Sequence, residues 1–495
     1  MSQALQHTRS FRLHDSTLWR EQAYLAGEWV EADGKGRLSV TNPVDESELG
    51  WVPNMGQGET ERAIEAAAAA LPAWRRMLAK ERGAILHRWG ELMMENQEDL
   101  AAIMTLEQGK PIWESRGEIA YAASFLTWFG AEAERAYGDI IPTHLEGRKL
   151  FVQREPVGVT AAITPWNFPS AMITRKAGAA LAAGCPMIVR PATETPFSAL
   201  ALGELASRAG MPKGVLSILT GSSRRIGAAL MDSTTVRKLS FTGSTEVGRI
   251  LLSQGAETVK KMSMELGGHA PFLVFEDADL DLAIEGAVGA KYATTGQDCL
   301  AVNRFYVHED VYDRFAERFT EAVARMKVGN GMDGDVDQGP LMNAGAVEKC
   351  EAHIADAVEK GATVLTGGGR HDLGGLFFQP TVLGDVTPEM LITQEETFGP
   401  VAALIKFSSE EDVLAQANAV EFGLASYVYT ENYRRIWRVS DALEYGMVAV
   451  NTPKITGAPI PFGGVKQSGL GREGSKYGLE DYTELKYVCL GGLDR

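Results

Sequence analysis

A single cysteine, Cys299, stands in a polar loop that also holds a glycine, and the loop runs Thr294-Thr295-Gly296-Gln297-Asp298-Cys299-Leu300. The loop separates a helical run from a strand-like run. A thiolate placed there is a strong nucleophile for a carbonyl carbon. A free cysteine is also among the residues most often buried, so the loop by itself leaves two interpretations open, a nucleophile or a small core residue.

Two other stretches hold groups that could serve such a nucleophile. Asn167 follows an apolar strand and lies between two prolines. Its amide donates hydrogen bonds without titrating, which suits an oxyanion. Glu265 stands at another strand end, just before two glycines, and a carboxylate there can act as a general base for water. A turn asparagine and a surface glutamate are the alternative interpretations.

The stretch Phe241–Gly248 joins a strand to a helix. A glycine at that turn lets backbone N–H groups approach a phosphate, and the helix N-terminus favours its negative charge. An ordinary helix capped by Ser244 or Thr245 explains the same pattern. Arg175 and Lys176 lie about two helical turns after Asn167. They face either the same cavity or the surface.

The elements that must position these groups alternate between strand and helix from Val157 to Gln254 and again from Ala270 to Val450. This order predicts a doubly wound parallel sheet followed by a second α/β domain. A helix is predicted over Leu280–Thr295, and the glycine-rich Gly457–Gly478 is predicted to be a loop. The apolar strand Tyr482–Leu490 has no partner nearby in sequence, so it pairs elsewhere in the chain or across subunits.

The composition limits the classes of partner. The 495 residues carry a formal net charge of −17, which argues against nucleic acid and anionic membranes but not against a small anionic substrate. The four cysteines are scattered, so neither a disulfide framework nor a metal site is predicted. No apolar run typical of a signal peptide or a membrane span occurs, and we expect a reducing cytoplasm, where a thiol can work.

Together these stretches resemble the aldehyde dehydrogenase superfamily, over essentially the whole chain from about Tyr24. The stretches that carry the resemblance, in the order and at the spacing of that family, are Thr164–Pro169, Phe241–Gly248, Glu265–Pro271, Gly296–Cys299, Glu396–Pro400 and Pro461–Gly464. Within the superfamily the chain is most similar to succinate-semialdehyde dehydrogenases. Three stretches carry that similarity: Ser170–Lys176, Thr195–Leu202 and Gly463–Gly478.

The resemblance implies catalytic roles that agree with the chemistry above. Cys299 attacks the aldehyde, and Asn167 together with the Cys299 N–H holds the oxyanion. Glu265 then activates water to release the acid, and Lys176 lies near the active site. The implied cofactor is NADP or NAD. The residues implied to bind it are Thr164, Trp166, Arg190, Thr193, Gly227, Gly243, Ser244, Leu266, Glu396 and Phe398.

Several positions depart from the family pattern. Arg190 replaces the usual lysine, and Thr193 stands where many NAD-preferring members carry a glutamate that repels a 2′-phosphate, so we expect NADP or dual use. Arg175 matches one of the three groups that hold the far carboxylate of succinate semialdehyde, and Thr456 stands at the position of the second, a serine. Ala293 stands in place of the third, an arginine. A bidentate arginine–carboxylate contact is hard to replace.

Asp298, directly before the nucleophile, disfavours an anionic substrate if it points into the cavity. The expected reaction is therefore oxidation of a semialdehyde, with succinate semialdehyde first and a place in γ-aminobutyrate catabolism. The alternatives are glutarate semialdehyde, an aminoaldehyde or a broad range of aldehydes. Glu265 disfavours a CoA-acylating enzyme, which generally lacks it, and the joint presence of Cys299, Asn167 and Glu265 disfavours a non-enzymatic protein.

The resemblance also implies a division of the chain and an oligomer. The expected units are a cofactor-binding domain at 1–136 and 156–264, a catalytic domain at 265–470, and an oligomerisation element at 137–155 and 471–495. We expect a homodimer or homotetramer formed through the strands at Leu150–Gln153 and Tyr482–Leu490.

Overall fold

Strands and helices alternate along most of the chain in the computed structural model, which describes residues 12–494. The strands are β1 (Ala23–Leu25), β2 (Glu28–Val30), β3 (Arg37–Thr41), β4 (Glu48–Pro53), β5 (Asp139–Ile141), β6 (Lys149–Pro156), β7 (Val159–Ile163), β8 (Met187–Arg190), β9 (Leu216–Ile218), β10 (Val236–Thr242), β11 (Lys261–Glu265), β12 (Ala270–Val274), β13 (Val302–His308), β14 (Thr363–Thr366), β15 (Thr381–Gly384), β16 (Val401–Phe407), β17 (Ala425–Tyr429), β18 (Met447–Val450), β19 (Gly469–Leu470) and β20 (Thr483–Leu490). The helices are α1 (Gln57–Arg76), α2 (Ala79–Glu95), α3 (Gln97–Gln108), α4 (Ile112–Glu132), α5 (Ala171–Ala183), α6 (Pro196–Arg208), α7 (Ser223–Asp232), α8 (Thr245–Ala256), α9 (Leu280–Tyr292), α10 (Glu309–Ala324), α11 (Ala344–Glu359), α12 (Glu410–Asn418), α13 (Tyr433–Ala442) and α14 (Ser475–Glu480). The first eleven residues of the expected cofactor-binding domain lie outside the described residues.

The larger sheet has eight strands in the order β19-β11-β10-β7-β8-β9-β1-β2. Its central five strands are parallel, and antiparallel strands close both edges. Both faces of the centre are buried, because the neighbours Ala161 and Ala162 on β7 belong to different hydrophobic clusters. Helices α5 and α1 both pack on β7 and β8. The predicted Rossmann-type doubly wound sheet is confirmed.

The second sheet has seven strands in the order β14-β15-β16-β13-β12-β17-β18, and all but β14 run parallel. Its two faces are also buried in separate clusters, with Phe272 in one and Leu273 in the other. Strands buried on both faces are continuous apolar runs, as in the β12 sequence APFLV. The predicted second α/β unit is therefore present.

A third sheet, β20-β6-β5, answers one open question from the sequence. Strand β20 pairs antiparallel with β6 of the same chain over its whole length, from Thr483 opposite Pro156 to Leu490 opposite Lys149. The loop prediction for Gly457–Gly478 is wrong in part. Strand β19 within it pairs with β11, where Gly469 has a φ of 149° and leaves no room for a Cβ against the Met264 carbonyl. Helix α14 begins before the end of the predicted loop.

The prediction of a helix over Leu280–Thr295 is also wrong at its end. Helix α9 stops at Tyr292, because Thr294 and Thr295 adopt left-handed backbone angles that no α-helix contains. Apolar periodicity in the sequence predicts helices around Ile85–Met93 and over Glu114–Tyr137, where α2 and α4 lie, but it does not predict α1 or α3. Nine of the twelve residues of α3 are buried, so it lacks the polar face by which a helical period is recognised. Among residues 12–494, no helix combines the length and apolar character needed to cross a membrane.

Candidate active site

The loop before Cys299 is turned by three consecutive residues with positive φ: Thr294 at 51°, Thr295 at 60° and Gly296 at 69°. A threonine in this region is strained, and such strain persists only where neighbours hold it. The Glu114 carboxylate accepts the Thr294 N–H at 3.0 Å. The Thr295 hydroxyl donates to the Gly339 carbonyl at 3.2 Å. The turn that presents the nucleophile is thus fixed by α4 and a neighbouring loop.

Cys299 lies where two cavities meet, because it lines both of them. One cavity, of about 260 Å³, faces the larger sheet and is hereafter the sheet-side cavity. The other, of about 330 Å³, extends toward α4 and α5 and is hereafter the helix-side cavity. A nucleophile at such a junction can contact two different ligands at once.

The sheet-side cavity brings together most of the residues predicted to bind the cofactor. Those that line it are Trp166, Gly243, Ser244, Leu266, Glu396 and Phe398, together with the predicted catalytic residues Asn167, Glu265 and Cys299. The rings of Trp166 and Phe398 meet edge to face at 5.7 Å. Glu396 accepts the Gly268 N–H at 3.0 Å, and burial raises the pKa of its carboxyl to about 7.

Four predicted cofactor residues lie outside that lining, along the carboxyl edge of the same sheet. Thr164 follows β7 and Arg190 ends β8, two adjacent strands. The Arg190 guanidinium donates to the Thr193 hydroxyl at 2.7 Å and to the Gly221 carbonyl at 3.1 Å. Gly227 lies on α7, with nothing within 4 Å of the position a Cβ would take. Ligands of doubly wound sheets bind at this edge.

These residues fit a nicotinamide dinucleotide. The side chain of Ser244 caps α8 by accepting the Val247 N–H, so the positive end of that helix faces the cavity. A Cβ at Gly243 would come within 2.5 Å of the Phe241 ring, which explains why glycine stands at this turn. Buried Arg190 keeps an Nε atom with no hydrogen-bond partner in the described structure. A ligand oxygen would satisfy it.

Asn167 is held in place through both its side chain and its backbone carbonyl. Its Nδ2 donates to the Gln297 carbonyl at 3.0 Å, which leaves one amide hydrogen. Buried Lys110 donates to the Asn167 carbonyl at 2.6 Å and to Glu118 at 2.7 Å. Within residues 12–494 the Cys299 N–H donates to no atom. Two N–H donors are therefore available beside the thiol.

Glu265 is buried, and neither of its carboxylate oxygens has a hydrogen-bond partner in the described structure. A Cβ at Gly463 would lie 3.0 Å from one oxygen, so the glycine leaves room for the carboxylate. Burial, and then the negative charge of Glu473, raise the pKa of Glu265 well above its ordinary value. A carboxylate with a raised pKa is a stronger base toward water.

Behind the cavities, Glu473 holds two buried cations. Lys176 donates to one Glu473 oxygen and also to the Thr242 hydroxyl at 2.6 Å. The Arg175 Nε lies 2.7 Å from the other oxygen, although its direction is poor for a hydrogen bond. Burial lowers the pKa of Lys176. Lys176 lines neither cavity, so the structure places it behind the site.

Arg175, unlike Lys176, reaches the helix-side cavity, which it lines with Thr456. Its guanidinium lies 4.1 Å above the Phe462 ring. Burial opposes its charge, but the neighbouring ionisable groups, Glu473 first among them, together outweigh burial and raise the pKa of Arg175. The two residues predicted to bind a substrate carboxylate are thus together, with Arg175 already partly neutralised.

Asp298 and Ala293 line the same helix-side cavity. Asp298 therefore faces the substrate side, and its Oδ1 accepts the Leu300 N–H at 3.0 Å. Burial raises the pKa of Asp298, and burial likewise raises that of Glu114, to about 7. Burial, followed by the Asp298 charge, raises the pKa of Cys299 well above its ordinary value. For this thiol to act as a nucleophile, a base would have to take its proton.

Sequence reasoning missed two buried ion-pair residues, Lys110 and Glu473. Glu473 stands alone as an acid among the glycines of Gly463–Gly478, which was a signal that could have found it. Lys110 gave no comparable signal, since its role depends on the approach of Asn167, 57 residues later.

Comparisons with known proteins agree with this arrangement. The model of the aldehyde dehydrogenase family matches residues 29–488. The chain is 58% identical over 482 residues to the glutarate-semialdehyde dehydrogenase of Pseudomonas aeruginosa, covering 97% of this chain and 100% of that protein. It is 58% identical over 480 residues to the NADP(+)-dependent succinate-semialdehyde dehydrogenase of Escherichia coli, again covering 97% and 100%. A crystal structure of succinate-semialdehyde dehydrogenase from Burkholderia pseudomallei superposes with a TM-score of 0.97 at 56% identity, covering 97% of this chain and 100% of that one.

Proposed function

The chain belongs to the aldehyde dehydrogenase family and is an NAD(P)-dependent enzyme, and from that premise we propose that it oxidises succinate semialdehyde to the carboxylic acid. One observation carries the proposal. Cys299 joins a cavity lined by the predicted cofactor residues to a cavity lined by Arg175 and Thr456. An aldehyde in the second cavity would present its carbonyl carbon to the thiol while its carboxylate approaches Arg175.

In the first half-reaction, the Cys299 sulfur attacks the aldehyde carbon. Its raised pKa requires that a base take the thiol proton as the carbon–sulfur bond forms. Glu265 is such a base, since its own pKa is raised. The remaining Asn167 amide hydrogen and the Cys299 N–H would stabilise the oxyanion that forms. Bound NAD(P)+ supplies the ring that accepts hydride, and Cys299 is left as a thioester.

Before the second half-reaction, Glu265 releases the thiol proton to solvent. It then takes a proton from water, and the resulting hydroxide attacks the thioester carbon. The Asn167 and Cys299 donors hold the oxyanion again, and the acid leaves as the thiolate returns. Glu473 supports this step from behind, because its charge keeps the pKa of Glu265 raised. Lys176 and Arg175 balance that charge, so the carboxylate pair is tolerated in a buried site.

For the cofactor, we propose a preference for NADP. Arg190 forms no ion pair with any described residue, and Thr193 beside it is neutral. A 2′-phosphate near this pair would therefore meet a cation and no facing carboxylate. The neighbouring Glu194 is exposed, which weakens its repulsion through solvent screening.

The organisation of the protein is also a proposal. We propose the three units expected from the sequence, with the third sheet as the oligomerisation element of a homodimer or homotetramer. Exposed apolar side chains on this sheet support the assembly, with Ile140 78%, Leu485 66% and Tyr487 53% exposed. A cytoplasmic location and a role in γ-aminobutyrate catabolism stay predictions, the first because a working thiol needs a reducing compartment.

One observation favours a second candidate substrate class. Asp298 lines the helix-side cavity, where its charge would favour an aminoaldehyde over a semialdehyde anion. The test is steady-state kinetics with NAD and NADP on succinate semialdehyde, glutarate semialdehyde, an aminoaldehyde and butanal. We expect the highest kcat/KM for succinate semialdehyde, and a loss on Arg175→Gln that is larger for succinate semialdehyde than for butanal. No preference for carboxylated aldehydes would overturn the proposal.

A further inference from the structure

The helix-side cavity shares part of its wall with a second space. A further cavity of about 360 Å³ adjoins it, and Trp113, Glu114 and Ala293 line both. These three residues form the boundary between the two spaces, hereafter the neck. The further cavity is hereafter the outer compartment. The width of the neck depends on the size of these three side chains and on whether each is held in place.

Two residues of the neck are held in place, and the third is small. The Trp113 indole N–H donates to the Val336 carbonyl at 2.9 Å. Both Glu114 oxygens accept the Thr294 N–H, at 3.0 and 3.1 Å. Ala293 offers only a methyl group at the start of the strained turn. A longer side chain at position 293 would have to enter one of the two cavities that it separates.

The wall of the outer compartment is largely apolar and carries one free cation. Its apolar lining consists of Val288, Tyr292, Ala322 and Met326. Its charged residues are Arg325, Asp337 and the neck residue Glu114. The Asp337 carboxylate accepts the Lys327 N–H at 2.8 Å. Arg325 makes no ion pair or side-chain hydrogen bond with any residue in the described range 12–494, so its charge is available to a ligand.

We propose that the outer compartment is a second substrate subsite, which takes the distal part of ω-oxo carboxylic acids of about six to eight carbons, with their methylenes on the apolar wall and their carboxylate at Arg325. This inference deepens the proposed function and rests on it. Arg175 serves the shorter semialdehydes and Arg325 the longer ones.

For a long substrate, the charged groups around the two arginines favour Arg325 over Arg175. Arg175 already has a partner, because the Glu473 carboxylate lies against its Nε. Glu114 borders both cavities and Asp298 borders the near one only, so a substrate carboxylate held in the near cavity would face both. A longer chain instead places neutral methylenes beside these groups and carries the carboxylate past the neck.

The test is kcat/KM for ω-oxo acids of increasing chain length, each beside the uncharged n-alkanal of equal length. Burial of each methylene should raise kcat/KM about fourfold for both series once the chain passes the neck. Ala293→Leu fills the neck without adding charge, so the ratio of long to short substrates should fall at least tenfold. Because long and short substrates are compared on the same variant, a change at Cys299 that slows both equally does not alter the ratio of their kcat/KM values.

Arg325→Gln should lower kcat/KM a few-fold for the long ω-oxo acids and leave the n-alkanal series unchanged, because an exposed ion pair contributes little. Arg314→Gln is the matched control. Arg314 is an exposed arginine on α10 that lines none of the cavities described above. We therefore expect the Arg314→Gln protein to keep the substrate ratios of the unsubstituted protein. If a variant fails to fold, the unsubstituted protein can be used instead. Saturated dicarboxylic acids of increasing length are then compared for how well they protect Cys299 from an alkylating reagent.

Longer acids that are oxidised no better than succinate semialdehyde, with ratios unchanged by Ala293→Leu, would overturn the inference and leave the proposed function standing. Oxidation of n-alkanals without any gain from a carboxylate would overturn both. A dicarboxylic acid of seven carbons that protects Cys299 no better than succinate would likewise overturn the outer subsite.

Discussion

Replacing Glu473 with glutamine should lower the stability of the protein and shift its pH–rate profile. Glu473 is the carboxylate partner of Arg175 and Lys176, whose side chains are at most 1% exposed. It also accepts the Ser240 hydroxyl at 3.2 Å. Glutamine keeps the size and some hydrogen bonds but removes the charge, which leaves two buried cations without their partner.

The expected loss follows from that geometry. Removing one partner of a buried ion pair costs about 3–5 kcal/mol, because the other charge is left uncompensated. Two cations share Glu473, which favours the upper value. Against this, glutamine still accepts a hydrogen bond from Lys176, and the Glu265 carboxyl can ionise nearby. We therefore expect a loss of about 3 kcal/mol in the free energy of unfolding.

The assay is urea unfolding at pH 7, followed by tryptophan fluorescence. Burial opposes the charge of Glu473, but Lys176 and then Arg175 outweigh burial and lower its pKa. A carboxyl with a lowered folded pKa stabilises fully above its unfolded pKa of about 4.3, and this contribution is lost as the pH falls through the folded pKa. Glu480→Gln is the control, since its pair with Arg154 is partly exposed and should contribute at most about 1 kcal/mol.

The same substitution tests the electrostatics of the base. The Glu473 charge raises the pKa of Glu265, so its removal must lower that pKa. Thioester hydrolysis needs ionised Glu265, and the acidic limb of its pH–rate profile should therefore move to lower pH. A Glu473→Gln protein that unfolds at the urea midpoint of the Glu480→Gln control, or an acidic limb that moves to higher pH, would refute the reasoning.

Three further substitutions give separate outcomes. Asn167→Ala removes an oxyanion donor and should lower kcat about 10²–10³-fold, measured at saturating substrate, with cofactor affinity unchanged as its internal check. Arg190→Gln removes a charge-assisted contact of about 1.5–3 kcal/mol and should raise KM for NADP at least tenfold. Equal changes for NADP and NAD would contradict a 2′-phosphate role. Lys110→Met leaves the buried Glu118 carboxylate without its cation and should lower the free energy of unfolding in urea by about 3 kcal/mol. An unchanged urea midpoint would contradict this pairing.

Local sequence patterns predicted the parallel sheets well because their strands are short apolar runs bounded by turns. The apolar runs Met187–Arg190, Val401–Phe407 and Met447–Val450 predict strands, and β8, β16 and β18 have these bounds. The end of α9 could not be predicted in this way. Thr294 and Thr295 favour no left-handed turn on their own, and the Glu114 contact that holds them comes from 180 residues earlier.

Residues of the site were predictable to the extent that each follows a strand or a glycine turn. Asn167, Gly243 and Glu265 all do so, and the sheet-side cavity gathers them. The behaviour of Arg175 was not predictable, because its neutralisation depends on Glu473, 298 residues further along the chain. The outer compartment was invisible for the same reason, since α4, α9 and α10 meet only in the folded chain.

The account depends most on Cys299 carrying the acyl group and on Glu265 releasing it. Because Glu265→Gln also removes the base for the thiol, water must take that proton and acylation should be slow. After prolonged mixing with succinate semialdehyde and NADP+, quenching and digestion, the Glu265→Gln protein should still carry one succinyl group per site on the peptide that holds Cys299. Cys185, Cys350 and Cys489 should remain unmodified, and the adduct should match the burst of NADPH. A burst without an adduct on Cys299, or an adduct on another cysteine that appears at the same rate, would contradict the account.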